Sequence, residues 1–266
     1  MHVLSLVGPG TADLLAPLAA RLDGRVATVR RDDAADAANA GQLDSDAEAT
    51  YRLSDDGTWS AAGTDETFEA ILDRLAPDYD YALVTGFSAL RLPTVVVGDA
   101  DVPGDVVARV DDVDDLTVDD LAEYAAAGEP HVTLETLVDE AKASDDADRS
   151  GAIATFTGRV RAKDAPDDDR TEALEFEKYE GVAADRMRRI ERELEARDGV
   201  FDVRMHHRVG VVADGEDIVF VVVLAGHRGE AFTTVEDGIN RLKDEVPIFK
   251  KETTESEEFW VHERSS

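Results

Sequence analysis

The chain contains no cysteine. Disulfides, thiolate metal sites and a cysteine nucleophile are excluded, so any sulfur chemistry must bring its sulfur from elsewhere. Lysine is almost as scarce: six residues among 28 basic ones, against 60 Asp and Glu, for a formal net charge of −32 and a pI near 4.3. Charge of that sign and size repels polyanions, so no nucleic-acid surface is expected. No stretch approaches the roughly 18–20 apolar residues needed to cross a bilayer. The opening MHVLSLVGPG lacks a basic region ahead of a long apolar run, so no signal peptide is read there. A cytoplasmic protein with no membrane partner is expected. Acid-rich, lysine-poor, cysteine-free composition suits work in concentrated salt, where repulsion between charges is screened.

What is present is 266 residues, 43% of them hydrophobic, enough for two domains of ordinary size. Charge is divided unevenly. Residues 1–130 hold eight arginines, no lysine and 27 acids; residues 131–266 hold 20 basic residues and 33 acids, including every lysine. The acidic segment DVDDLTVDDLAEYAAAGEPH reads as a tether, and the boundary is placed between 1–125 and 126–266.

In the first part HVLSLVG, YDYALVTGF and PTVVVGD are continuous apolar runs of the kind found in parallel strands covered on both faces. TADLLAPLAARL puts Leu14, Leu15, Leu18 and Leu22 on one helical face, with Thr11 as a candidate N-cap, and TFEAILDRLA repeats that spacing. The expectation is a P-loop-like α/β domain with a mostly parallel sheet. In the second part GAIATFTGRVR and EALEFEKY read as strands. A helix follows with Met187, Ile190 and Leu194 inward and Gly199 at its C-terminal end. VFDVRMHHRVGVV and EDIVFVVVLAG read as two strands around a turn at Asp214-Gly215. Phe232, Val235, Ile239, Leu242 and Val246 then form a helix stripe that Pro247 ends. This is an α+β pattern with mostly antiparallel pairing.

Gly8 and Gly10 sit between a strand and a helix, where a phosphate loop would lie. The loop is short, has no lysine and places Asp13 near the phosphate position, so a plain strand–helix turn is the favoured reading. His206 and His207 are adjacent in a strand and face opposite ways, which favours structural roles. His227 and Arg228 fall on a strand-to-helix loop, where backbone N–H groups and the helix dipole favour an anion. The segment RLKDEVPIFKKE concentrates Lys243, Lys250 and Lys251 around Pro247. A solvated helix end would account for Lys243 but not for two lysines beyond the proline. Lysines brought close together favour a neutral amine able to act as base or nucleophile. Arg159 and Arg161 are alternate residues of one predicted strand. Together these residues suggest a cationic pocket for a small phosphorylated substrate.

The strings GAIATFTGRVR, LEFEKY, HHRVGVVADGEDIVFVVVLAGHRGEAF, INRLKDEVPIFKKE and EFWVHE, in this order over about residues 132–263, resemble the large (catalytic) subunit of molybdopterin synthase, the MoaE family. The resemblance implies an α/β hammerhead-like domain that dimerises. It also implies a ubiquitin-like small-subunit partner whose C-terminal Gly-Gly carries a thiocarboxylate, and cyclic pyranopterin monophosphate as the substrate that receives its sulfur. By position it assigns catalysis to Lys243 and Lys250. Substrate contact falls to Phe156, Arg159, Val160, Arg161, His227, Arg228, Lys251 and Glu252. No cofactor or metal is implied. Phe249 stands where bacterial relatives carry tryptophan. VLSLVGPGTADLL and YDYALVTGFSALRLPTVVVGD resemble the MobB family of GTP-binding P-loop proteins, without the loop lysine and with Thr85 where relatives tend to have an acid. The first domain is therefore read as a degenerate MobB-like domain. A nucleotide- or cofactor-binding adaptor is the alternative role for the whole chain.

Overall fold

The structure, a computed structural model, describes residues 1–31, 47–163, 165–166, 168–178, 181–254 and 258–261. It divides into two compact units, Met1–Thr133 and Leu134–Ser266.

The first unit runs β1 (His2–Val7), α1 (Thr11–Arg21), β2 (Val26–Arg30), β3 (Ala49–Leu53), β4 (Trp59–Gly63), α2 (Phe68–Leu75), β5 (Tyr81–Thr85), β6 (Thr94–Val97), β7 (Val106–Val110) and α3 (Val118–Ala127). Five strands form a sheet in the order β2-β5-β1-β6-β7, all paired in parallel, while β3 and β4 make a separate antiparallel ribbon. The central strands are mostly apolar, with Ser5, Thr85 and Thr94 as buried exceptions, because helices cover both faces. Leu4, Leu6, Leu83 and Val95 pack with Leu15 and Leu18 of α1 and Leu121 of α3, and Val3, Ala82 and Val84 pack with Leu72 of α2. Half of the acidic segment read as a tether is α3. Thr117 caps it by accepting the Asp120 N–H, and Leu121 and Ala125, one turn apart, are buried while the acids face water. Acidity marked an exposed helix face rather than a linker.

Thr11 does not cap α1 either. Gly10, at φ 77°, holds the N-cap position, and the buried Thr11 hydroxyl donates to the Gly8 carbonyl at 2.8 Å. It also lies 3.3 Å from the hydroxyl of Thr85, which donates to the Leu6 carbonyl at 3.1 Å. At Gly8, φ is 125° and a Cβ would stand 2.2 Å from the Val97 carbonyl oxygen, so only glycine fits the turn.

The second unit runs α4 (Leu134–Lys142), β8 (Ala152–Arg159), β9 (Thr171–Lys178), α5 (Val182–Glu195), β10 (Val200–His207), β11 (Gly210–Ala213), β12 (Asp217–Ala225), α6 (Arg228–Glu245), β13 (Ile248–Thr254) and β14 (Glu258–Val261). Its strands form two antiparallel sheets, β10-β12-β8 and β11-β9-β13-β14. On the first of these, Met187, Ile190 and Leu194 of α5 and Val235, Ile239 and Leu242 of α6 pack onto Val203, Met205, Val221 and Val223. The outward N–H groups of the edge strand β10 are taken by glutamates of α5: Val203 donates to Glu195 at 3.0 Å and Met205 to Glu191 at 2.8 Å. These two caps occupy N–H groups that would otherwise invite strand addition. Burial pushes the Glu191 carboxyl up, against the lowering effect of the Met205 N–H.

Several local expectations change. The strand expected to run through Val212 breaks after His207. The chain crosses to the other sheet through Arg208 and Val209, and re-enters at Gly210, where φ is 81°. The Asp214-Gly215 turn thus joins two sheets instead of closing a hairpin. Gly199 has the left-handed φ of 80° but stands beyond Ala196, the C-cap of α5. Phe232 is not in the buried stripe: α6 begins at Arg228, its inner face runs through Ala231 and Val235, and Phe232 is 66% exposed. Arg161 lies past the end of β8 and does not share its strand face with Arg159.

Candidate active site

Local sequence dictates where the basic residues land. β12 is buried throughout its central run and delivers the chain to His227, the N-cap of α6, with Arg228 as the first helical residue; both are exposed. The i, i+4 apolar rhythm carries α6 for 18 residues to Glu245, with Lys243 exposed in its last turn. Val246 closes the helix, and Pro247, which cannot continue it, hands the chain to β13. There the two-residue period places Lys250 on the side of Ile248, which packs against the core, and Lys251 on the side of the 45%-exposed Phe249.

Across the strands Lys250 stands opposite Phe176, Lys251 opposite Glu175 and Glu252 opposite Leu174. The Lys251 ammonium lies 3.8 Å from the Glu175 carboxylate. On β8 Phe156 is half-buried against the core and Arg159 is exposed. The Arg159 guanidinium donates to the Gly215 carbonyl and pairs with Asp217 at 3.2 Å. Val160 is 3% exposed; its N–H donates to Glu216 at 2.9 Å and its carbonyl accepts from Gly215 at 2.9 Å. It anchors the strand end from which exposed Arg161 leaves. His262 and Glu263 of the closing EFWVHE string lie outside the described residues.

Two features of this layout were not legible in the sequence. First, the side chains of Lys243, Lys250, His227 and Arg228 have no ion-pair or hydrogen-bond partner among the described residues, although the chain carries 60 acids. Most other arginines of this unit are paired, for example Arg241 with Glu193 and Glu245 and Arg204 with Asp202. Second, the two ends of α6 keep Arg228 and Lys243 apart. Arg228 and Lys243 are fifteen residues apart on one continuous helix, about 22 Å at 1.5 Å per residue. His227 and Arg228 sit at the positive end of the α6 dipole and Lys243 at the negative end.

A family model described as MoaE protein matches residues 131–245. Over the whole length, the chain is 58% identical across 264 residues to a probable molybdopterin synthase of Haloferax volcanii, covering 99% of this chain and 100% of that protein. The chain belongs to the MoaE family. The MoaE unit alone accounts for further similarity. The molybdopterin synthase catalytic subunit of Pyrococcus abyssi is 35% identical over 124 residues, 47% of this chain and 82% of that one. Among solved structures, the MoaE protein of Burkholderia ambifaria is 36% identical and covers 51% of this chain and 86% of its own, at a TM-score of 0.42. Bacillus subtilis MobB is 14% identical at a TM-score of 0.35, covering 48% of this chain and all of that one. The family model and the sequence relatives give the chain the activity of a molybdopterin synthase catalytic subunit, an enzyme of molybdenum cofactor biosynthesis. Among the described residues, no helix is long and apolar enough to cross a membrane.

Proposed function

We propose that the MoaE unit transfers sulfur from the thiocarboxylated Gly-Gly tail of a ubiquitin-like small subunit to cyclic pyranopterin monophosphate, in two rounds that build the dithiolene. The observation that carries this reading is the set of unpartnered basic side chains in so acidic a chain: Lys243, Lys250, His227 and Arg228 are held for an incoming anion. The absence of cysteine agrees, because sulfur that arrives on a partner's tail needs no thiol on the enzyme. Lys243 is the principal catalytic amine and Lys250 its partner. Arg159, Arg161, His227, Arg228 and Lys251 hold the phosphate and polarise the departing oxygen, at a point where charge develops in the transition state. Phe156 supplies an aromatic wall, and Val160 and Glu252 are assigned to the same substrate-contacting segments.

The reading includes a homodimer. One helix cannot bring Arg228 and Lys243 to a shared atom across about 22 Å, whereas a two-fold related copy can offer the N-terminal end of its α6 to the Lys243 of the first. The exposed Phe232, one turn after Arg228, gives that end an apolar contact surface. The test is reconstitution: the full chain, a thiocarboxylated small subunit and cyclic pyranopterin monophosphate are mixed in molar KCl, and dithiolene formation is followed. Turnover that depends on the thiocarboxylate is expected. Failure to form dithiolene with both components present rejects the assignment.

A further inference from the structure

Lys243 and Lys250 are carried by different sheets. α6, which bears Lys243, lies on the β10-β12-β8 sheet through Val235, Ile239 and Leu242. β13, which bears Lys250, belongs to the other sheet, whose buried side is Leu174, Phe176 and Val212 together with Val160. The spacing of the two amines therefore depends on how one sheet is fixed to the other. Ile218 of β12 and Ile248 of β13 pack against both cores and supply part of that joint.

A directional contact completes it. The rings of Phe176 on β9 and His207 at the end of β10 meet edge to face, with centroids 4.9 Å apart and planes at 73°. His207 is 7% exposed, and its Nδ1 lies 2.6 Å from the Arg208 carbonyl oxygen, to which the Nδ1–H tautomer donates. Phe176 in turn is the direct cross-strand neighbour of Lys250. Side chains so opposed stand on one face with Cβ atoms about 5 Å apart. An apolar residue would fill a buried joint without the cost of desolvating an imidazole. The histidine adds a hydrogen bond that stops the ring from turning, and an edge-to-face pair is sensitive to that orientation.

We propose that His207 is a positioning residue for the reaction: fixed by the Arg208 carbonyl, its ring holds Phe176 edge-on, and Phe176 is the wall that directs the Lys250 ammonium. This rests on the reading of Lys243 and Lys250 as the catalytic pair. The test compares His207→Ala, His207→Phe and His207→Asn with Lys250→Ala in the full chain, with two readouts. In steady-state kinetics His207→Ala lowers kcat about ten- to a hundredfold, as expected for a misplaced group, with KM for the pterin changed less than about twofold. His207→Phe, which keeps a ring but loses the bond to the Arg208 carbonyl, recovers only part of the loss, and His207→Asn, which keeps only a polar group, recovers less. In competitive acetylation of the chain alone, read by mass spectrometry, the Lys250-to-Lys142 labelling ratio rises several-fold in His207→Ala. A purely structural role would move neither that ratio nor kcat selectively. Wild-type kcat and labelling in His207→Ala, beside an inactive Lys250→Ala, overturn the proposal and leave the catalytic pair standing. A fully active Lys250→Ala overturns both.

Discussion

The 22 Å between Arg228 and Lys243 makes a quantitative prediction about mixtures of inactive chains. Arg228→Ala removes a charge-assisted contact to a bound anion, a loss of roughly 1.5–3 kcal/mol, or about ten- to a hundredfold in kcat/KM. Lys243→Ala removes the proposed catalytic amine and is expected to cost about a hundredfold or more. If each site takes Lys243 from one copy and Arg228 from the other, a dimer of one Arg228→Ala chain and one Lys243→Ala chain has one intact site and one doubly damaged site. Equal amounts, unfolded together and refolded so that copies exchange at random, give half heterodimers, and half of their sites are intact. Activity then returns to about a quarter of wild type per site, well above either parent. The assay is dithiolene formation, with size-exclusion light scattering to verify the dimer. If the mixture shows only the mean of its two parents, both groups act within one chain and the two-copy site is wrong.

Other outcomes follow from particular contacts. Because burial raises the Glu191 carboxyl, the folded chain holds its proton more tightly than the unfolded chain, so ionised Glu191 lowers stability as pH rises above the ordinary glutamate range. Glu191→Gln keeps an acceptor for the Met205 N–H and should raise the Tm at neutral pH, with the gain fading in acid. Glu191→Leu leaves that N–H unpaired and should cost about 1–3 kcal/mol in chemical denaturation. Gly210→Ala meets nothing within 4 Å, so its cost is the left-handed backbone alone, about 1 kcal/mol by the same measurement. In the first unit the turn between β1 and α1 has no lysine for a terminal phosphate, and its Thr11 hydroxyl is already bonded to the Gly8 carbonyl. Calorimetric titration with GTP and magnesium should show no binding; micromolar, magnesium-dependent binding would revive the adaptor role.

Much of this was legible in the sequence for physical reasons. Runs such as YALVT and TVVV could only be strands covered on both faces, and the spacing of Val235, Ile239 and Leu242 could only be a buried helix face. Local pattern failed where tertiary context decided. Nothing in VRMHHRVGVV shows that the chain leaves one sheet for another at Arg208; the signal present was Gly210, a glycine inside an apolar strand pattern. In the acidic segment the helix shows in apolar spacing, with Leu116, Val118, Leu121, Ala122 and Ala125 on the packed side, while the abundance of acids on the other side mimics a linker. Phe232 fitted the helix period by spacing alone, and only the helix start at Arg228 shows that Ala231 takes its place inward. For the site, residue types were readable and their convergence was not. The sequence brings His227, Arg228 and Lys243 within 17 residues, and helix geometry separates them again.

The most direct test of the account is a pair of single substitutions, Lys243→Ala and Lys250→Ala, assayed for dithiolene formation with thiocarboxylated small subunit and saturating pterin. The account predicts that both chains fold and dimerise as wild type while kcat falls at least about a hundredfold in Lys243→Ala and substantially in Lys250→Ala. Full activity in a folded Lys243→Ala chain would contradict it.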